Sequence, residues 1–113
     1  MLNAFISQLT DIPVICAHWG GGLPFYELMP ELRRTLANVY YDTAAGLFLY
    51  RDAIFAAAVA AVGAEKILFA TDYPLLRQGR YLARLRGCGL GQSALAAVLG
   101  GNAERLLGLG RAE

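Results

Sequence analysis

Charge, histidine and cysteine are all scarce in this sequence. Charged residues make up 17% of the 113 residues, Lys and Arg number ten against nine Asp and Glu, and histidine occurs once. Disordered chains need high charge and low hydrophobicity, so a chain that is 57% apolar is expected to fold, and its length suits one domain. The lack of a basic excess argues against a nucleic-acid partner.

Long hydrophobic runs and export signals are missing as well. The longest charge-free stretches, 12–26 and 87–103, are interrupted by Gly or Pro and fall short of the ~20 apolar residues of a membrane span. The N-terminus has neither the basic start nor the cleavage site of a signal peptide. Cys16 and Cys88 lie far apart, which favours free thiols over a disulfide. We therefore predict a cytoplasmic protein with no membrane partner.

Short apolar runs alternate with helical stretches along the chain. Runs rich in β-branched and aromatic residues predict buried strands at 13–17, 38–42 and 66–71. Helices are predicted at about 2–10, 24–36, 51–62, 78–86, 92–99 and 102–107. Pro24 is expected to open the second helix, and Gly63 to close the third. This order is typical of βαβ units on a parallel sheet in an α/β domain, whose strands are covered on both faces.

Each predicted strand ends in an ionisable residue, namely His18, Asp42 and Asp72. The intervals of 24 and 30 residues suit one strand-to-strand crossover each. The carboxyl ends of parallel strands meet at one edge of a sheet, where α/β proteins bind their ligands. We therefore expect the three residues to share a site.

His18 is followed by Gly20, Gly21 and Gly22, which allow a tight turn and close approach of a ligand. Histidine suits acid–base chemistry near neutral pH and also binds metals, although a lone histidine often has a purely structural role. No Gly-Lys-Ser/Thr follows the glycines, which makes a phosphate-binding loop a weak interpretation.

Asp72 directly follows the third apolar run, where a partly desolvated carboxylate suits metal binding or proton transfer. Asp also favours helix caps and turns, and this alternative applies equally to Asp42. Trp19, Gly20, Asp42 and Tyr73 are expected to contact substrate, with aromatic packing as the alternative for the rings. A catalytic zinc site usually has three protein ligands and an open position. Because Asp42 is equally well explained as a cap, one His and two Asp do not make a secure metal site on their own.

Three motifs together carry a resemblance to a known family. The segments AHWGGGLPFYELMPELRRTLANVYYDT, AEKILFATDYP and LGGNAERLLGL resemble the C-terminal part of the amidohydrolase-related family of metal-dependent (β/α)₈-barrel hydrolases and decarboxylases. The resemblance implies that residues 1–113 correspond to barrel strands 6 to 8 and the C-terminal helices. It implies a catalytic or metal-binding role for His18, a metal-binding and catalytic role for Asp72, and a structural role for Gly101-Asn102-Ala103. The role of Asp42 stays open.

The resemblance also implies a divalent metal, zinc in the first instance, and a small carboxylated or carbonyl-containing substrate. The family's His-x-His or Glu-x-His pair on strand 1 and its strand-5 histidine have no counterpart in this sequence. We therefore expect the isolated chain to be inactive, and to self-associate or to be complemented by an N-terminal barrel segment. Two alternatives remain: a non-catalytic fragment or subunit, and a small α/β domain that binds an anion at the loop from His18 to Gly22.

Overall fold

Three short parallel strands with helices between them form a mixed α/β fold. The computed structural model describes residues 12–72 and 77–108. The strands are β1 (Val14–Cys16), β2 (Val39–Asp42) and β3 (Ile67–Leu68). The α-helices are α1 (Pro30–Thr35), α2 (Gly46–Leu49), α3 (Ala53–Val62), α4 (Gln78–Arg86), α5 (Gln92–Ala96) and α6 (Asn102–Leu106). Helical turns of other types cover His18–Leu28, Ala64–Lys66 and Ala97–Gly101.

The predicted parallel pairing is confirmed. The strand order is β1-β2-β3, with Cys16 beside Tyr41 and Asp42 beside Leu68. All three strands are shorter than the apolar runs that predicted them, and β3 has only two residues. The register brings the carboxyl ends of the strands to one edge of the sheet, as the sequence predicted.

Among the described residues, helices leave one face of the sheet partly exposed. Val39 and Tyr41 lie on the covered face with no exposed surface. Ile15 pairs with Tyr40 on the opposite face and is 47% exposed. The expectation that both faces are covered therefore fails at Ile15 among the described residues, although Leu68, which pairs with Asp42 on the same face, is buried. We call the face that carries Ile15 and Tyr40 the open face.

Helix α3 supplies much of the cover. Its buried residues recur at helical spacing, so that one stripe faces the sheet: Ile54, Phe55, Ala58, Ala61 and Val62. The helix ends at Gly63, whose positive φ of 92° is a conformation that glycine adopts without a Cβ penalty. The predicted closure at Gly63 is confirmed.

Two predicted helix boundaries are wrong. Pro24 lies within the helical turns of 18–28, and the α-helix of this region begins at Pro30 instead. The predicted break near Gly100 is a π-helical turn, so the backbone continues from α5 into α6. The helix predicted at 2–10 lies outside the described residues. Within 12–72 and 77–108, no helix has the length and apolar character needed to cross a membrane.

Asn102 joins the C-terminal helices to the sheet. Its side chain is fully buried, and Nδ2 donates hydrogen bonds to the carbonyl oxygens of Ala64 (2.6 Å) and Ile67 (2.8 Å). Its Oδ1 accepts a hydrogen bond from Arg105 (3.1 Å). The amide therefore bonds two backbone carbonyl groups at the start of β3 and ties the C-terminal helices to that strand.

We predict that Asn102→Ala lowers the free energy of unfolding by about 2 kcal/mol, because it removes the buried hydrogen bonds from Nδ2 to the carbonyl oxygens of Ala64 and Ile67. Urea denaturation checks this, with Gln92→Ala as the control because Gln92 is an exposed amide at the start of α5. Equal stability losses in the two variants would contradict the anchoring role of Asn102.

Candidate functional site

A left-handed turn follows β1 and carries the single histidine. Five consecutive residues have positive φ: His18 (54°), Trp19 (60°), Gly20 (61°), Gly21 (64°) and Gly22 (93°). This conformation costs roughly 1–2 kcal/mol for a residue with a Cβ. The two residues that bear this cost, His18 and Trp19, must therefore be held by their surroundings.

The turn sends neighbouring side chains in opposite directions. Trp19 has no exposed surface and packs edge-on against Phe55, with ring centroids 5.4 Å apart. The side chain of His18 is 49% exposed at the sheet edge. The indole of Trp19 therefore anchors the turn in the core, and the geometry does not offer it the substrate contact expected from sequence.

Gly20 makes the close backbone approach that this turn requires. A Cβ at this position would lie 3.0 Å from the ring of Tyr41 and 3.2 Å from the Cβ of Cys16. Tyr41 is held in turn by Glu27, whose Oε2 accepts hydrogen bonds from the Tyr41 hydroxyl and from Lys66 Nζ, each at 2.6 Å. Gly20 therefore packs against the covered face of β2, which is a structural role.

Asp42, at the end of β2, binds the backbone on two sides. Its Oδ1 accepts hydrogen bonds from the N–H of His18 (3.0 Å) and from the N–H of Ala44 (3.1 Å). The carbonyl oxygen of Ala44 lies 3.2 Å from Nδ1 of the His18 ring. Asp42 thus lies beside His18, as predicted, but at least one of its carboxylate oxygens is engaged by the protein itself.

Thr43 extends the sheet beyond the two residues of β3. Its Oγ1 donates to the carbonyl of Ala70 (2.9 Å) and accepts from the Ala70 N–H (3.0 Å), while its own N–H donates to the carbonyl of Leu68 (3.0 Å). The hydroxyl therefore takes the place of a backbone partner and keeps residues 69–72 beside β2. This arrangement brings Asp72 to the edge that already carries His18.

His18 and Asp72 converge at this edge. Nε2 of His18 lies 4.0 Å from Oδ2 of Asp72, and the side chain of Asp72 is 48% exposed. Asp72 also has a positive φ, of 66°. The non-glycine residues with positive φ among those described are His18, Trp19, Ala45 and Asp72, and all of them follow the carboxyl ends of the strands. Such strain is concentrated at functional sites in proteins.

A nitrogen and a carboxylate oxygen are donors that suit zinc or manganese. The pair fits part of a metal site, because both groups are accessible and separated by a gap that a cation could enter. No group of three or more potential ligands occurs in residues 12–72 and 77–108. This part of the chain therefore offers two candidate ligands and not a complete set.

The cysteines do not contribute to this pair. Both thiols are free, as predicted. Burial, followed by the nearby charge of Asp42, raises the pKa of the Cys16 thiol. Cys16 therefore stays protonated beneath the turn, which is unsuited to nucleophilic or metal chemistry.

Comparison with known proteins agrees with this geometry. The chain matches the amidohydrolase family over residues 1–109. The chain belongs to the amidohydrolase family. No curated protein sequence matches it.

Solved structures of three decarboxylases share the fold, each with a TM-score of 0.71. The 2,6-dihydroxybenzoate decarboxylase from Rhizobium is 20% identical and matches over 86% of this chain and 35% of its own. A dihydroxybenzoic acid decarboxylase from Polaromonas, with bound manganese and the inhibitor 2-nitroresorcinol, is 23% identical over 88% and 35%. The 5-carboxyvanillate decarboxylase from Sphingomonas paucimobilis is 19% identical over 93% and 36%. This amidohydrolase chain therefore spans about a third of the length of these neighbours.

The sequence identified His18, Asp42 and Asp72 as neighbours, and the structure brings them together. Tyr73 lies outside the described residues, so its predicted substrate contact stays a prediction. Sequence reasoning missed Thr43 and Ala44, which position the other residues through backbone contacts. The Asp42-Thr43 pair was a usable signal, because both residue types bind backbone groups through short side chains.

We predict that Gly20→Ala destabilises the protein more than Gly21→Ala does. Both glycines have positive φ, so each substitution costs roughly 1 kcal/mol of backbone strain. A Cβ at Gly21 meets nothing within 4 Å, whereas a Cβ at Gly20 meets Tyr41, which adds about 1–3 kcal/mol. Urea denaturation of both variants measures the difference, and equal losses would show that Tyr41 does not constrain the turn.

Proposed function

We propose that this chain supplies the last three βα units of a (β/α)₈ barrel in a metal-dependent hydrolase or decarboxylase. The observation that carries the proposal is the approach of His18 Nε2 to Asp72 Oδ2, 4.0 Å apart at the carboxyl edge of a parallel sheet. This edge is the catalytic face of (β/α)₈ enzymes. Membership of the amidohydrolase family and the decarboxylase neighbours support the assignment.

The sheet itself supports a larger barrel. A closed barrel has no edge strands, whereas β1 and β3 each pair on one side only among the described residues. The open face presents Ile15, with Ile12 also 54% exposed close to the start of β1. Apolar surface of this kind is normally covered by more protein. We infer that further strands, on the same polypeptide or on another copy, complete the barrel and supply the missing ligands.

Each residue has a role in the proposed chemistry. Asp72, with His18 as a second ligand or as the acid–base group, would hold a divalent cation such as zinc or manganese. When bound, such a cation polarises a substrate oxygen or lowers the pKa of a bound water. His18 would give or accept a proton at Nε2, the ring nitrogen that lies toward Asp72 at the carboxyl edge of the sheet. The half-exposed pair is accessible to a small molecule without rearrangement of the core.

The decarboxylase neighbours favour a small carboxylated aromatic substrate within the broader hydrolase or decarboxylase class. These neighbours are decarboxylases of 2,6-dihydroxybenzoate and of 5-carboxyvanillate. A carboxylate group would be drawn to the cation at the edge, next to the proton-transfer group that a decarboxylation requires. A carbonyl substrate for hydrolysis would use the same two groups.

The contacts of the turn argue against the alternative of an anion-binding loop. The N–H of His18 is bonded to Asp42, and the N–H of Gly20 donates to the carbonyl of Ala17 (2.9 Å). Asp42 and Asp72 both place negative charge beside the loop. An anion would therefore meet occupied donors and two carboxylates, whereas a cation would meet favourable charge.

We predict that the isolated chain binds zinc weakly through His18 and Asp72. Isothermal titration calorimetry should show binding that Asp72→Asn weakens roughly tenfold or more, because the substitution replaces an anionic carboxylate with a neutral amide oxygen, a much weaker zinc ligand. Asp52→Asn is the matched control, since Asp52 is a surface carboxylate paired with Arg84. The chain alone should not decarboxylate 2,6-dihydroxybenzoate.

Two results would contradict the proposal. Equal zinc affinity in wild type and Asp72→Asn would show that Asp72 is not a ligand. Tight stoichiometric zinc binding by a chain that light scattering shows to be a monomer would mean that no outside ligands are needed, and the incomplete-site interpretation would have to be dropped.

A further inference from the structure

The carboxylate of Asp42 contacts the backbone N–H of His18, and the carbonyl of Ala44 contacts its ring. Asp42 Oδ1 accepts the backbone N–H groups of His18 and Ala44, at 3.0 and 3.1 Å. The next amide, of Ala45, donates to the carbonyl oxygen of Thr71 at 3.2 Å. The peptide groups before and after Ala44 are therefore both held by hydrogen bonds. The second of them contains the Ala44 carbonyl, which lies 3.2 Å from Nδ1 of His18.

A carbonyl oxygen can only accept a hydrogen bond, so this contact requires a proton on Nδ1. In the neutral ring the other nitrogen, Nε2, then carries the lone pair. The opposite tautomer would place two lone pairs against each other at Nδ1. Its Nε2 proton would not gain a direct bond to Asp72, whose Oδ2 lies 4.0 Å away, beyond hydrogen-bonding distance.

We propose that Asp42 is a positioning residue that holds neutral His18 in the Nδ1–H tautomer and presents the Nε2 lone pair to the site. Asp42 acts through backbone groups: it stabilises the left-handed conformation of His18 (φ 54°) and orients Ala44 so that its carbonyl meets Nδ1. This role differs from the substrate contact expected from sequence. It builds on the proposed role of His18 but does not depend on the reaction catalysed.

A fixed tautomer has a direct consequence for the site. Histidines that bind metals generally donate the second ring N–H to a carbonyl or carboxylate, which sets the ring orientation. The same arrangement prepares a general base, because the basic nitrogen points in one direction only. Asp42 would thus determine which atom of His18 is available, without touching substrate or metal.

The single histidine makes the test unambiguous. In metal-free wild-type chain at pH 8.5, the ¹⁵N NMR spectrum of the imidazole should show a pyrrole-type Nδ1 and a pyridine-type Nε2. Histidine free in water favours the opposite form. Asp42→Ala should shift the two signals toward each other or invert them, and the amide of His18 should exchange with solvent about tenfold faster because its acceptor is gone.

Asp42→Asn supplies the rescue, because an amide oxygen can still accept both backbone N–H groups, and it should keep the wild-type pattern. Asp52→Ala, which removes a surface carboxylate, should leave the imidazole spectrum unchanged. A protonated Nε2 in wild type would overturn the proposal, even if Asp42→Ala failed to fold. An unchanged tautomer in a folded Asp42→Ala variant would overturn it as well. Neither result depends on zinc binding, so the proposed function is tested separately.

Discussion

The carboxyl end of β2 is the part of the structure on which the candidate site depends. Asp42 fixes the turn after β1, and Thr43 fixes the segment after β3. Asp42 and Thr43 both bond through side-chain atoms, because regular strand pairing has already stopped there. Strand β1 ends before His18, and β3 ends before Asp72. Without these bonds, the turn after β1 and the segment after β3 would lose the side-chain contacts to β2 that hold His18 and Asp72 at the same edge.

The core below the edge holds this arrangement in place. The hydroxyl of Tyr81 donates to the carbonyl of Thr43 at 2.6 Å, and burial raises the pKa of Tyr81 to about 12. The phenol therefore remains a donor across the physiological pH range. Its ring contacts Phe55 and Phe69, and Phe55 contacts Trp19. The buried Trp19 thus links the strained turn to the same aromatic core that supports Thr43.

The sequence predicted the parallel order of the strands and the common edge of His18, Asp42 and Asp72, because apolar runs and crossover lengths are local properties. It left open whether Trp19 contacts substrate or packs in the core. Trp19 and His18 are adjacent, and only the left-handed backbone sends them to opposite sides. The role of Ala44 was also beyond prediction, since an alanine acts here through its carbonyl group.

The open face explains a further mismatch between sequence and structure. Continuous apolar strands predicted cover on both faces, yet Ile15 is exposed in the described residues. The composition of the strands therefore suits a larger assembly than three βα units. The family match and the coverage of about a third of each neighbouring decarboxylase agree with this interpretation.

Diffraction from crystals of the chain grown with Mn²⁺ would test the central claim most directly, since the anomalous signal of manganese locates the cation. The account predicts a peak within coordination distance of both His18 Nε2 and Asp72 Oδ2, with Nδ1 still facing Ala44. A peak at other residues, or side chains of His18 and Asp72 that point away from each other, would contradict it.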